Sequence, residues 1–158
     1  PKGATTRAPA WVGASMIRLI LFNLLLFGSC GYALWRGTRD ARIIAATCLV
    51  AAFASYPFLT GYAGVETSVL AIDLIVLGLF VWVALKSDRF WPLWIAGLHV
   101  TTVIGHALKL MSSDLVPLAY AVALRMWAYP ELIILVIAVW RSEQRRRFPD
   151  PHLKQSAS

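Results

Sequence analysis

Five long hydrophobic segments, separated by connections of only a few residues, take up most of this 158-residue chain. Each run approaches 20 residues, the length a helix needs to cross the ~30 Å apolar layer of a bilayer at ~1.5 Å per residue. Within that layer only a helix satisfies its own backbone hydrogen bonds, and the sequence lacks the alternating pattern of a transmembrane barrel. The chain is 59% hydrophobic and 15% charged, whereas about a quarter of a typical soluble domain is charged. The sequence therefore predicts an all-α, polytopic transmembrane helix bundle.

The pattern divides the chain into a polar N-terminal segment (1–15), a transmembrane domain (16–140) and a basic cytoplasmic tail (141–158). The five spans are expected at about 16–35, 43–62, 67–85, 90–110 and 116–140. Pro57 and Pro130 fall inside spans, where a missing backbone N–H is expected to kink the helix.

The distribution of lysine and arginine predicts the orientation, because these residues concentrate on the cytoplasmic side of a membrane. Ten of them lie on the side of the C-terminus and four on the opposite side. The chain is therefore expected to have its N-terminus outside and its C-terminus inside. The ten are Arg36, Arg39, Arg42, Lys86, Arg89, Arg141, Arg145, Arg146, Arg147 and Lys154.

Ionisable side chains within the spans are the most informative residues, since a charge at the centre of a membrane helix costs on the order of 3 kcal/mol. His99 and His106 are seven residues apart, nearly two turns, so they share one face of the fourth span. Glu66 and Asp73 have the same spacing in the third span, and a short loop joins the two spans. The predicted buried polar cluster consists of Asp73, His99, His106, Arg125 and Glu131.

Counting residues from the span ends sorts these groups by depth at ~1.5 Å per residue. Asp73, His106 and Arg125 fall roughly 6–13 Å from the outer ends. His99 and Glu131 fall about 13 Å from the inner ends, near the midplane. Two buried layers are therefore expected, an outer one and a central one.

Three roles fit such a cluster. The first is structural, with pairs that select one helix arrangement. The second is a proton relay running from Glu131 and His99 to His106 and Asp73, because histidine exchanges protons near neutral pH. The third is cofactor binding, with His99 or His106 as a ligand of haem iron or of the magnesium of a chlorophyll-type pigment.

Motifs of enzyme chemistry are absent from the sequence, which has no Gly-x-Ser-x-Gly elbow, His-Glu-x-x-His motif, P-loop or Cys-x-x-Cys pair. No catalytic residue and no metal site are therefore predicted. Cys30 and Cys48 are expected to be two small buried thiols in a reducing compartment. The net charge of +7 is explained by topology, so no nucleic-acid partner is expected.

The tail carries a basic group close to the last span, formed by Arg141, Arg145, Arg146 and Arg147. Such a group is expected to face anionic lipid, at roughly 1 kcal/mol per basic residue near the surface, or a cytoplasmic partner. The prolines that follow Phe148 are expected to end any continuing helix.

The stretch from Arg89 to His99 (RFWPLWIAGLH), followed by Thr101, Thr102 and His106, resembles small uncharacterised polytopic inner-membrane proteins of proteobacteria. The resemblance covers mainly the fourth and fifth spans. It implies a location in the bacterial inner membrane, and it carries no activity.

The small size, short loops and many aromatic residues favour an accessory or interaction subunit of a larger membrane complex, with lipid and other membrane subunits, or further copies of the chain, as partners. A proton-linked carrier that uses the buried Asp/His/Glu/Arg cluster is the first alternative. A haem- or chlorophyll-binding membrane subunit is the second.

Overall fold

The computed structural model describes the backbone of residues 10–55, 65–111 and 117–148, and the side chains of 16–55, 67–108 and 126–148 within them. These parts form five α-helices and contain no strand. The all-α prediction is confirmed. The helices are α1 (Ala10–Arg36), α2 (Arg39–Ser55), α3 (Val65–Lys86), α4 (Trp91–Met111) and α5 (Pro117–Arg147).

The helix bounds differ from the expected spans at two places that affect the site. α2 begins at Arg39, four residues before the predicted start, because only Gly37 and Thr38 separate it from α1. α5 runs through Pro130 and past 140 to Arg147, so the predicted start of the tail lies inside a helix. The extra turns of α5 pack against α1, where Glu143 binds Tyr32 and Arg36. Pro57 lies outside the described residues.

The helices close into a ring in chain order. Each helix contacts the next, α5 contacts α1, and α2 also contacts α5. The hydrogen bond from Ser87 Oγ to Asp40 Oδ2 (2.6 Å) joins the α3–α4 connection to the start of α2. One end of the bundle therefore holds the C-terminal ends of α1, α3 and α5 together with the N-terminal ends of α2 and α4. We refer to it as the basic end, after its residues Arg36, Arg39, Arg42, Lys86, Arg89, Arg141, Arg145, Arg146 and Arg147.

Small side chains allow α1 and α2 to approach closely near the basic end. Cys30, Ala33, Ala41 and Ala45 are at most 1% exposed. A Cβ atom added at Gly37 would lie 2.1 Å from the carbonyl oxygen of Ala33, so this tight connection requires glycine.

The outer surface of the bundle is covered by large apolar side chains. Leu24 on α1 is 65% exposed and Ile75 on α3 is 66% exposed, and similar residues occur on every helix. By length and composition, two helices of the described parts qualify as membrane spans, Met16–Arg36 and Thr67–Lys86. These two helices point weakly to a membrane protein.

Candidate functional site

Four of the five residues predicted for the buried cluster form a continuous chain of polar contacts across three helices. His99 Nδ1 on α4 lies 3.3 Å from Glu131 Oε1 on α5. The other ring nitrogen, Nε2, lies 3.9 Å from Asp73 Oδ1 on α3. Asp73 Oδ2 in turn lies 3.0 Å from His106 Nε2. We refer to the sequence Glu131–His99–Asp73–His106 as the carboxylate–histidine chain.

The sequence predicted an outer polar layer with Asp73 and His106 and a separate central layer with His99 and Glu131. In the structure Asp73 contacts both histidines, so the two layers are connected. His99 and His106 are seven residues apart on one face of α4, roughly 10 Å along the helix axis. The carboxylate of Asp73 on the neighbouring helix directs one oxygen to each imidazole. The predicted relay placed Asp73 at its end, whereas the structure places it between the two histidines.

The contact between His99 Nε2 and Asp73 Oδ1, at 3.9 Å, is the longest of the chain. His99 Nε2 is buried and has no hydrogen-bond partner among the described residues. If Nδ1 donates its hydrogen to Glu131, Nε2 of the neutral ring is an acceptor that faces another acceptor, Asp73 Oδ1. A proton on Nε2, or a water molecule in between, supplies the missing donor.

Apolar packing holds the His99 ring in place. Phe80 of α3 is 1% exposed, and its ring meets the imidazole edge to face, with centroids 5.1 Å apart. His99 and Glu131 are each 8% exposed overall. Because both side chains are buried, their polar atoms depend largely on one another and on Asp73.

A central cavity of about 220 Å³ lies beside the chain. A water molecule takes roughly 30 Å³ of liquid volume, so the cavity has room for several. All five helices contribute to its wall. The polar lining residues are Cys48, Ser55, Asp73, His99, Thr102 and Glu131, and the others are Phe22, Leu26, Ala51, Ala52, Val76, Phe80, Ala128 and Leu132.

Further polar groups lie between this cavity and the basic end. The thiols of Cys30 and Cys48 interact with each other across the α1–α2 contact, and neither forms a disulfide. The hydroxyl oxygen of Ser29 is buried and has no hydrogen-bond partner within the described parts.

Arg125 was also predicted for this cluster. It belongs to α5, six residues before Glu131, and its side chain lies outside the described residues. The side chain of Glu66, which shares the seven-residue spacing with Asp73, also lies outside the described residues.

Sequence reasoning missed a second polar cluster at the basic end, centred on Glu143. Its carboxylate accepts hydrogen bonds from Arg147 (2.7 Å), Tyr32 (3.0 Å) and Arg36 (3.0 Å). These contacts, the one from Arg147 first, lower the pKa of Glu143 below its ordinary value. The four-residue spacing of Glu143 and Arg147 was a readable signal of a helix continuing past 140. Tyr32 and Arg36 are more than 100 residues away from Glu143 in sequence, so their contacts with it could not be predicted from the sequence.

The basic residues of the predicted tail have different roles in the fold. Arg147 binds Glu143, whereas Arg141 and Arg145 line a groove beside the start of α4. Arg146 is exposed on the same helix.

The central cavity is a poor fit for a tetrapyrrole. Its volume is below the roughly 300–1,000 Å³ of pockets that hold drug-sized ligands, and both nitrogens of His99 are directed at carboxylates. No group of His, Cys, Asp and Glu side chains in the described stretches has the arrangement of a metal site.

No protein-family model matches this chain, and neither a curated protein nor a solved structure matches it. Any function must therefore be inferred from the residues and their geometry.

Proposed function

We propose that this protein is a five-span bacterial inner-membrane protein whose carboxylate–histidine chain carries protons, as part of a small proton-linked carrier. The single observation that supports this most is the order Glu131–His99–Asp73–His106, with a 3.9 Å step between His99 and Asp73, beside a central cavity. Buried ionisable groups are costly in a membrane and mark proton paths in many pumps and transporters.

The membrane location is supported by the surface of the bundle. Large apolar side chains are exposed on all five helices, where water would be unfavourable and lipid is not. Arginine and lysine gather at one end, which by the positive-inside tendency is the cytoplasmic side. Trp35, Trp94 and Trp140 are exposed towards that end, as expected of indole rings at a membrane interface. These features favour five spans with the C-terminus inside.

The proposed proton movement uses the two ring nitrogens of His99, Nδ1 beside Glu131 and Nε2 beside Asp73. A proton taken up at Nδ1 from Glu131 allows the ring to release its other proton from Nε2 towards Asp73. The Asp73 carboxyl, now protonated on Oδ1, turns about its Cβ–Cγ bond so that this proton faces Nε2 of His106, which accepts it nearer the opposite end of α4. A turn of the ring or the return of the tautomer resets the chain.

The role ranked first by sequence, an accessory subunit of a larger complex, rests on elimination. The exposed apolar surface fits lipid as well as protein, whereas the linked chain and the cavity specifically favour the carrier. The accessory role is therefore the alternative to be tested if the protein carries no protons.

The test is proton flux in liposomes that contain the purified protein. A potassium gradient with valinomycin sets the membrane potential, and an entrapped pH-sensitive dye reports proton entry. We expect flux above that of protein-free liposomes, and a decrease of about tenfold or more in Glu131→Gln and His99→Gln, because each breaks a transfer step.

Thr101→Val is the matched control. Thr101 is on α4 close to His99, but its hydroxyl donates to the carbonyl of Leu98 on its own helix, and it does not line the cavity. This variant should keep the wild-type flux, and circular dichroism and gel filtration should show all variants folded. Equal flux in wild type and Glu131→Gln would contradict the proposal. Co-purification of a stoichiometric set of larger membrane proteins from native membranes would then support the accessory role.

A further inference from the structure

A second and larger cavity opens at the basic end, in the groove between the start of α4 and the end of α5. Its volume is about 440 Å³. Three arginines line it, Arg89, Arg141 and Arg145, and Asp88 is the one acidic lining residue. The lining therefore has a net charge of +2, and the first turn of α4 adds the positive end of a helix dipole.

The three guanidinium groups of this groove have no carboxylate partner in the described parts of the chain. Arg36 and Arg147 at the same end are different, since both bind Glu143. Unpaired guanidinium groups around a cavity are suited to an anion such as a phosphodiester, which they bind with charge-assisted hydrogen bonds.

The groove continues into an apolar surface. Ile134 and Ile137 form one wall of the basic cavity, and Phe90 belongs both to it and to a neighbouring groove of about 310 Å³. That second groove follows α4 through Leu93, Trp94, Gly97 and Leu98. From Phe90 to Leu98 it extends roughly 12 Å along the helix. A ligand that fills both parts must carry an anionic head and an apolar chain.

We infer that this groove binds one anionic phospholipid, with the phosphodiester at Arg89, Arg141 and Arg145 and an acyl chain along α4 beside Trp94. Basic pockets between helices on the cytoplasmic side suit such headgroups. The inference rests on the proposed membrane location, but it is independent of the carboxylate–histidine chain. A free phosphate would use the arginines and leave the apolar groove without a role.

Native mass spectrometry of the delipidated protein in detergent tests the inference. The probes are palmitoyl-oleoyl phosphatidylglycerol, phosphatidylcholine with the same chains, and soluble glycerol phosphate. We expect one tightly bound phosphatidylglycerol, much weaker phosphatidylcholine, and no comparable binding of glycerol phosphate.

Two pairs of variants locate the site. Arg141→Gln with Arg145→Gln should weaken phosphatidylglycerol binding by about 30-fold, at the typical contribution of a basic residue near a lipid surface. The control, Arg39→Gln with Arg146→Gln, removes the same charge from exposed positions at the same end that do not line this groove. It should change binding by less than about threefold.

The acyl-chain groove is tested with glycine substitutions. Gly97→Leu fills it and should weaken phosphatidylglycerol binding, whereas Gly78→Leu on α3 is the control, since a Cβ atom at either position meets no other atom within 4 Å. Equal loss in both arginine pairs, or equal binding of the two phospholipids, would overturn the inference. Glycerol phosphate that binds as tightly as the lipid would also overturn it, in favour of a free anion. None of these results bears on the proton-flux experiment, so the two proposals can fail separately.

Discussion

Replacing His99 and Glu131 by leucine, singly and together, measures how strongly the two side chains depend on each other in the middle of the bundle. Glu131→Leu leaves Nδ1 of His99 without its partner, while Nε2 already has none among the described residues. His99→Leu leaves the Glu131 carboxyl in an apolar surrounding. In the double variant neither group remains. The double change should therefore cost less than the sum of the single changes.

The structure sets the expected size of this difference. Hydrogen bonds between membrane helices contribute about 0.6 kcal/mol on average and at most about 1.7 kcal/mol. The 3.3 Å separation of Nδ1 and Oε1 exceeds the usual ~2.9–3.0 Å and argues for a smaller value. The 8% exposure of both residues, and the unpartnered Nε2, argue for a larger one. We expect a coupling free energy of about 1 kcal/mol.

Equilibrium unfolding in mixed micelles with a rising mole fraction of dodecyl sulfate measures the four free energies. His99→Leu combined with Ser142→Ala is the control cycle, because the Ser142 hydroxyl bonds to Val139 on its own helix and lies about 16 Å along α5 from Glu131. The control changes should add to within about 0.3–0.5 kcal/mol. If the His99–Glu131 changes add equally well, the two side chains do not depend on each other and the reasoning about the chain is wrong.

Two further predictions concern the basic end. The pKa of Glu143 is lowered, chiefly by Arg147, so this carboxylate stabilises the fold above the ordinary titration range of glutamate, and the contribution is lost as the pH falls through the lowered pKa. The melting temperature of the wild type should therefore exceed that of Glu143→Gln at neutral pH and equal it in acid. A difference in melting temperature that persists in acid would contradict this. Gly37→Ala should lower the free energy of unfolding by about 1–3 kcal/mol, since its Cβ atom would overlap the carbonyl of Ala33. Gly31→Ala is the control, because nothing lies within 4 Å of its Cβ position; it should be neutral or stabilising by up to about 1 kcal/mol. Similar melting temperatures for the two variants would refute the close-contact argument.

Several features of the fold were readable from local pattern. Apolar runs of membrane length predicted five helices, and five helices occur in the described parts. The expected fifth span ends at 140, whereas α5 continues to Arg147 through polar turns that contact α1. The pattern of apolar residues cannot predict polar helical turns that are stabilised by contacts with a distant helix.

The sequence by itself determined the helical class, the gathering of basic residues at one end, and the shared face of His99 and His106, since these depend on composition and helical spacing. Tertiary structure decided that Asp73 lies between the two histidines, that His99 Nε2 has no partner in the described residues, and that a cavity adjoins them. The physical reason is that a helix determines, through its own 3.6-residue period, which of its residues share a face and how far apart they lie along its axis. The rotation and distance between neighbouring helices depend on side chains far apart in the chain, such as the small residues at the α1–α2 contact and Phe80 against His99.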